Sequence, residues 1–223
     1  MKYGESVFDI AYLAIAIIIG ILILRKSRTR VEIWMGAAVL ILGGGDAFHL
    51  IPRVLNYFVN ADFTVALGVG KLITSITMTV FYMFVYHIAY AIYHLMYRRR
   101  VLVFVNFIAI IRVILCLFPQ NGWWAVKGSM LWAVLRNIPF VILGIIVILI
   151  FFRNRNEIRR FRLIWLWILL SFAFYIPVAL FAGKVPVLGA LMLPKTICYL
   201  ILIFTFYQAV TKDEPISEVE AEQ

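Results

Sequence analysis

Seven long apolar runs constrain the fold of this chain more than any other feature of its sequence. A membrane-spanning helix needs about 20 mostly apolar residues, because the hydrocarbon core of a bilayer is about 30 Å thick. Seven stretches meet this requirement: 7–24, 33–52, 67–97, 101–118, 129–152, 163–181 and 187–210. We therefore predict an all-α integral membrane protein with a seven-helix domain over residues 1–211, and we number the helices in chain order.

The composition excludes the classes of protein that fold in water. Of the 223 residues, 65% are hydrophobic and 14% are charged, whereas soluble domains have about 45–50% apolar and about 25% charged residues. These values argue against a cytosolic enzyme, a nucleic-acid-binding domain and a disordered chain. Cys116 and Cys198 lie inside apolar runs with no CxxC pattern, so we predict neither a metal site nor a cofactor.

The positions of the basic residues predict the orientation of the helices. Of the 21 Lys and Arg residues, twelve fall in three alternate loops: Arg25, Lys26, Arg28, Arg30, Arg98, Arg99, Arg100, Arg153, Arg155, Arg159, Arg160 and Arg162. The positive-inside rule places such loops in the cytoplasm, so we expect the N-terminus outside and the C-terminus inside the cell membrane. Residues 212–223 are acidic and lack apolar periodicity, which predicts a disordered cytoplasmic tail.

Two pairs of helices can be aligned as an internal repeat. Residues 47–52 of helix 2 match residues 173–177 of helix 6, and a lysine follows the proline of each segment by 19 and 18 residues, respectively. The alignment predicts a parallel repeat in a 3+1+3 arrangement, with helix 4 as the linker. This layout resembles that of the SWEET and PQ-loop transporters in topology, although their sequence motifs are not recognised here, and the resemblance implies transport.

Five basic residues are predicted to lie within the outer half of the membrane: Arg53, Lys71, Arg112, Arg136 and Lys195. The predicted acids near them are only Asp46, which is deep, and Asp9, which is near the outer surface. Because buried charges need partners, this imbalance predicts a water-filled, outward-facing cavity that binds an organic anion or an anionic lipid headgroup. The alternative is that the cations extend to the lipid headgroups, which suits those near helix ends, Arg53, Lys71 and Arg112, better than Lys195 and Arg136.

The sharpest local motif lies at the end of helix 2. Asp46, His49 and Arg53 are spaced i, i+3 and i+7, which places an acid, an imidazole and a guanidinium on one helix face. One interpretation is that Asp46 orients His49 as a general base or proton carrier while Arg53 binds an anionic group. The other is structural, with Asp46 paired to a cation and His49 hydrogen-bonded in the core.

The remaining candidates for ligand binding are polar residues of helices 3, 5, 6 and 7: Thr74, Ser75, Asn137, Tyr175 and Tyr199. Thr74 and Ser75 follow Lys71 along one stripe, where hydroxyls either line a polar cavity or bridge helices. We expect the two tyrosines to form hydrogen bonds with Lys195. The preceding Pro194 would change the direction of the lysine side chain by kinking helix 7.

Three functions are compatible with these residues. The first is a transporter or lipid-handling protein that binds an anion and has membrane lipids, but no nucleic acid, as partners. The second is an intramembrane lipid hydrolase that uses Asp46 and His49, with nearby cations to stabilise a developing anion. The third is a non-catalytic sensor or assembly factor. A retinal photoreceptor would also have a lysine in helix 7, but no rhodopsin motif accompanies Lys195.

Overall fold

The computed structural model describes residues 2–95, 99–125, 128–181 and 185–212, and this part of the chain is helical, without β-strands. Its helices are α1 (Lys2–Lys26), α2 (Arg30–Phe58), α3 (Thr64–Ile92), α4 (Arg99–Leu117), α5 (Met130–Arg153), α6 (Ile164–Phe181) and α7 (Met192–Lys212). Within the described ranges, seven helical segments are long and apolar enough to cross a membrane. The prediction of a seven-helix, multi-pass membrane protein is therefore confirmed, whereas the acidic tail from residue 213 onwards lies outside the described residues.

The outer surface of the bundle is apolar. On α4, Val103, Phe104, Phe107 and Ile110 are each about half exposed or more. A face of this size would be unfavourable in water, whereas it is the normal surface of a helix that contacts lipid. The exposed apolar residues thus support the membrane assignment independently of helix length.

The α2 helix continues beyond the proline at which it was predicted to end. Pro52 has no N–H group, so it leaves the carbonyl of Phe48 without its usual partner in the helix. Gly70 of α3 packs directly against that carbonyl and against the Cα atom of His49. The missing side chain at Gly70 therefore lets the two backbones approach closely where α2 was expected to stop, and α2 extends to Phe58.

The α3 helix ends at Ile92, although the apolar run predicted a helix to residue 97. The N–H group of Tyr93 still donates to the Ala89 carbonyl at 3.1 Å. His94 then adopts a positive φ of 49°, a left-handed conformation that ends helices. At the other end of the chain, a 3₁₀ segment (Pro186–Leu191) precedes α7, which begins five residues later than predicted.

The contacts between helices define two ends of the bundle. At the first, which we call the Glu5 end, Arg53 near the end of α2 forms an ion pair with Glu5 at the beginning of α1. At the second, the Lys26 end, the ammonium group of Lys26 lies 5.9 Å from the ring centroid of Tyr207 in α7. The helices α1, α2 and α7 are thus arranged with alternating directions.

The arginine-rich segments gather at the Lys26 end. Arg160, between α5 and α6, donates to the carbonyl of Gln208 near the end of α7. The ring of Tyr93, just after α3, packs 5.7 Å from that of Phe151 near the end of α5. The described parts of the three loops that were predicted to be cytoplasmic therefore lie at one end of the bundle, which the orientation prediction requires. Neither the orientation in a membrane nor the predicted repeat is tested by these contacts.

Candidate functional site

A small polar cavity opens between α1, α2, α3 and α7 at the Glu5 end. We call it the Asp46 cavity; its ionisable lining residues are Glu5, Asp9, Asp46, His49, Arg53 and Lys195. The three residues predicted to share one face of helix 2 thus line the same space. Its volume is about 40 Å³, which accommodates about two or three water molecules but not an organic anion.

The partner of Asp46 is a tyrosine rather than a histidine. The hydroxyl of Tyr12 donates to Asp46 Oδ2 at 2.8 Å, and the carboxylate is 8% exposed. Lys195 interacts electrostatically with Asp46 but is too far away for a direct ion pair. His49 lines the same cavity, but its Nδ1 atom is buried without a hydrogen-bond partner in the described chain. The structure therefore brings Asp46 and His49 together without joining them in a hydrogen bond.

Arg53 is neutralised by an acid that sequence reasoning missed. Glu5 forms an ion pair with Arg53 and accepts a 3.1 Å hydrogen bond from the hydroxyl of Tyr57. A signal was present in the sequence, because Glu5, Asp9 and Tyr12 are spaced i, i+4 and i+7 and so share one face of α1. The count of acids near the predicted cavity was therefore too low by one.

Lys195 is buried between aromatic rings. Its side chain is 5% exposed, and its ammonium nitrogen lies 5.0 Å from the ring centroid of Tyr199 and 5.4 Å from that of Tyr175. These are cation–π distances, whereas the sequence predicted hydrogen bonds to the two tyrosines. The Tyr175 hydroxyl donates instead to Asn137 Oδ1 at 2.9 Å, and the Tyr199 hydroxyl lies 3.4 Å from that of Tyr82.

Arg112 occupies the interior of the bundle. It is 2% exposed, donates to Thr79 Oγ1 at 2.8 Å, and has its Cζ atom 3.4 Å from the ring centroid of Phe140. The alternative that it extends to the lipid headgroups does not hold for Arg112, because its side chain contacts α3 and α5. Within the described residues no carboxylate lies at ion-pairing distance from it, and its Nε atom has no hydrogen-bond partner.

Arg136 joins α5 to the connection that follows α4. It donates to Asn121 Oδ1 at 2.7 Å, and its Cζ atom lies 4.4 Å from the ring centroid of Trp123. The amide nitrogen of Asn121 in turn donates to the Leu115 carbonyl at 2.7 Å, so this side chain also caps the C-terminal end of α4. Arg136 interacts electrostatically with Arg112, and Arg112 does so with Lys195. We call these three residues the cationic cluster.

The polar residues of α3 divide between two roles. Thr74 lines the Asp46 cavity and also donates to the carbonyl of Gly45 in α2 at 3.0 Å, which is the bridging role that hydroxyls have in membranes. Ser75 donates to the carbonyl of Lys71 within its own helix at 2.7 Å. Lys71 is exposed and lies close enough to His49 to interact electrostatically, but it does not line the cavity.

Similarity to known proteins does not supply a function for this chain. Comparisons with protein-family models, with curated proteins and with solved structures found no match. The described residues also contain no group of three or more His, Cys, Asp or Glu side chains that could hold a metal ion. The function must therefore be argued from the geometry of the Asp46 cavity and the cationic cluster.

Proposed function

We propose that this protein is a transporter or lipid-handling protein that binds an organic anion or an anionic lipid headgroup at the cationic cluster. The anion would enter from the outer side of the cell membrane. The observation that carries the proposal is the burial of Arg112 without a carboxylate partner in the described chain. A buried guanidinium without a counter-charge is strongly destabilising, so its retention is best explained by an anion that pairs with it.

The local charge balance supports this proposal. The cationic cluster carries three positive charges. Asp46 interacts electrostatically with Lys195 of this cluster, whereas Glu5 is already paired with Arg53. A guanidinium has five N–H donors in a planar fork that matches a carboxylate or a phosphate. The shared ligand chemistry is therefore an oxyanion, on a soluble molecule or on a lipid headgroup.

Under this proposal the structure is a closed form, with the Asp46 cavity as the route from the Glu5 end to the cationic cluster. An organic anion would need more space than about 40 Å³, so α1, α2 and α7 would have to separate at the Glu5 end. The ion pair of Glu5 and Arg53 joins α1 to α2 at this place and would break on opening. Alternating between closed and open forms around a fixed central site is the general behaviour of transporters.

Thermal unfolding of the purified protein in detergent tests this function. Acetate, succinate and inorganic phosphate represent soluble oxyanions, and phosphatidylglycerol in the micelles represents a lipid headgroup. A ligand at 100 times its Kd stabilises a protein by about 2.7 kcal/mol, so Tm should rise by several degrees with one source or both. The rise should be lost in Arg112→Met and Lys195→Met and kept in Arg25→Gln, which removes an exposed cation at the Lys26 end. No rise with any of the four probes would refute the proposal.

No contact of the described residues favours the alternative of an intramembrane hydrolase. A base is typically oriented by a hydrogen bond to a third group, and Asp46 makes its hydrogen bond with Tyr12 rather than with His49. The proposed function therefore assigns no catalytic step to these two residues.

A further inference from the structure

The Asp46 cavity has the properties of a hydrated site. Two buried atoms without hydrogen-bond partners, Asp9 Oδ2 and His49 Nδ1, belong to residues that line it. Buried polar groups of this kind are normally satisfied by ordered water, provided that the space is polar and large enough. The cavity meets both conditions, so we expect ordered water to occupy it and to bond to these two atoms.

Lys195 belongs to the Asp46 cavity and to the cationic cluster at the same time. Its charge interacts with Asp46 on one side and with Arg112 on the other. An oxyanion bound at the cluster would compete with Asp46 for this single ammonium group. Anion binding therefore changes the charge balance inside the cavity.

The groups that face Asp46 come from every helix packed around it. They are Glu5, Asp9 and Tyr12 from α1, His49 and Arg53 from α2 itself, Lys71 near His49 from α3, and Lys195 and Tyr199 from α7. Among the cations, Arg53 is paired with Glu5 and Lys71 interacts with His49. Lys195 is thus the cation that compensates Asp46.

We propose that the protein takes up a proton at Asp46 when it binds an anion, so that proton and anion are bound together. This inference rests on the proposed function and adds its coupling. Once Lys195 turns to the anion, Asp46 and the neighbouring Asp9 would be two buried carboxylates that repel each other. A proton from the outer water, passed through the cavity waters to a carboxylate oxygen of Asp46, removes that repulsion. Lys195 remains an ammonium ion throughout, and the bond formed is the carboxyl O–H.

His49 is the rival site for this proton. It lies next to both Lys71 and Lys195, so a positive charge on its ring would be repelled by two cations. A carboxyl group accepts the proton without adding a positive charge to the cavity. We assign the proton to Asp46 rather than to Asp9, because Asp46 is the carboxylate that Lys195 compensates, and His49 serves as the comparison in the experiment.

Calorimetric titration of the full-length protein in two buffers with different ionisation enthalpies measures the protons taken up per bound ligand. The probes are acetate, succinate, inorganic phosphate and phosphatidylglycerol micelles. For each probe that binds, the protein should take up about one proton more than the Asp46→Asn variant, a difference that cancels any protons exchanged by the probe itself. The variant should also bind the anion more tightly at alkaline pH, since Lys195 no longer has a competing carboxylate.

Two control variants decide the outcome. The uptake of the proton should persist in His49→Gln and in Asp62→Asn. Asp62 is a suitable control because it is exposed and because hydrogen bonds from the side chain and backbone N–H of Thr64 lower its pKa, so that it stays ionised. Equal uptake in the protein and Asp46→Asn, or loss of uptake in His49→Gln, would overturn the coupling while leaving anion binding intact. Binding of none of the probes would overturn both proposals.

Infrared difference spectra provide a readout that needs no variant. When a probe that binds is added to the unsubstituted protein, the difference spectrum should contain the carbonyl band of a newly protonated carboxyl group. Its absence on saturation with a ligand that binds would contradict the proposal even if Asp46→Asn fails to fold.

Discussion

The environment of Arg112 depends on a single hydroxyl group. The guanidinium stacks on the Phe140 ring, and its hydrogen bond to the described chain is accepted by Thr79. Thr79 is itself fully buried and donates to the carbonyl of Ser75 at 2.9 Å. The hydroxyl therefore links the charge to the backbone of α3, and under the proposed function it would hold the guanidinium in place for an oxyanion.

Replacing Thr79 by valine should destabilise the protein by about 1–3 kcal/mol, because a buried charged donor loses its acceptor. Denaturant unfolding in micelles measures the change. In the double variant Thr79→Val with Arg112→Met, the loss should be smaller than the sum of the single losses, since no unsatisfied guanidinium remains. Thr205→Val is the matched control, because that hydroxyl bonds only to the Ile201 carbonyl of its own helix. An equal loss in the two valine variants would contradict this role of Thr79.

The sequence predicted well which polar residues of the site are buried. It predicted their interaction partners less well. The spacing of Asp46, His49 and Arg53 placed them on one face, and the structure places all three on one cavity. The pairing of Arg53 with Glu5 could not be derived, because it depends on how α1 is rotated and shifted against α2. The apolar pattern of a membrane helix is nearly uniform around its circumference, so it does not fix that rotation.

At the level of helices, the prediction succeeded where the signal is local and failed at the ends. Each of the seven apolar runs is a helix because a backbone in lipid must satisfy its own hydrogen bonds. The sequence did not predict that α2 continues past Pro52, where Gly70 of α3 packs against the carbonyl that the proline leaves free. Close packing of small residues is a common way for membrane helices to associate, and it is visible only when both helices are placed.

The contact of α2 with α3 should fail if a side chain is introduced at Gly70. A Cβ atom there would overlap the Phe48 carbonyl and the Cα atom of His49, and backbone atoms cannot move aside as a flexible side chain can. We expect Gly70→Ala to lower the stability by about 1–3 kcal/mol, the usual range for overpacking. Gly44→Ala is the control, because nothing lies within 4 Å of a Cβ atom at that position. Unfolding at the same temperature in both variants would show that the close approach is not required.

For the whole molecule, the ionisable groups form two separate populations. The described parts of the arginine-rich loops lie at the Lys26 end, whereas Asp9, Asp46, Arg112 and Lys195 are buried towards the Glu5 end. Glu32 is the exception, because it is buried in the capping box at the start of α2. By the positive-inside rule we expect the first population to direct insertion, while the second lies inside the bundle and needs partners. This division explains how a chain with a net charge of +10 can hold most of its charge outside the membrane and still bury a cationic cluster.

The orientation of the bundle decides the side from which the cluster is reached. We expect the Lys26 end to face the cytoplasm, because it carries the arginine-rich loops. Single cysteines at two exposed asparagines, Asn60→Cys at the Glu5 end and Asn156→Cys at the Lys26 end, should therefore react differently with a membrane-impermeant maleimide. In intact cells only Asn60→Cys should be labelled, and permeabilised cells should show both. Cys116 and Cys198 are buried, so they contribute little background. The opposite labelling would place the Asp46 cavity on the cytoplasmic side, and the anion and its proton would then be taken up from within the cell.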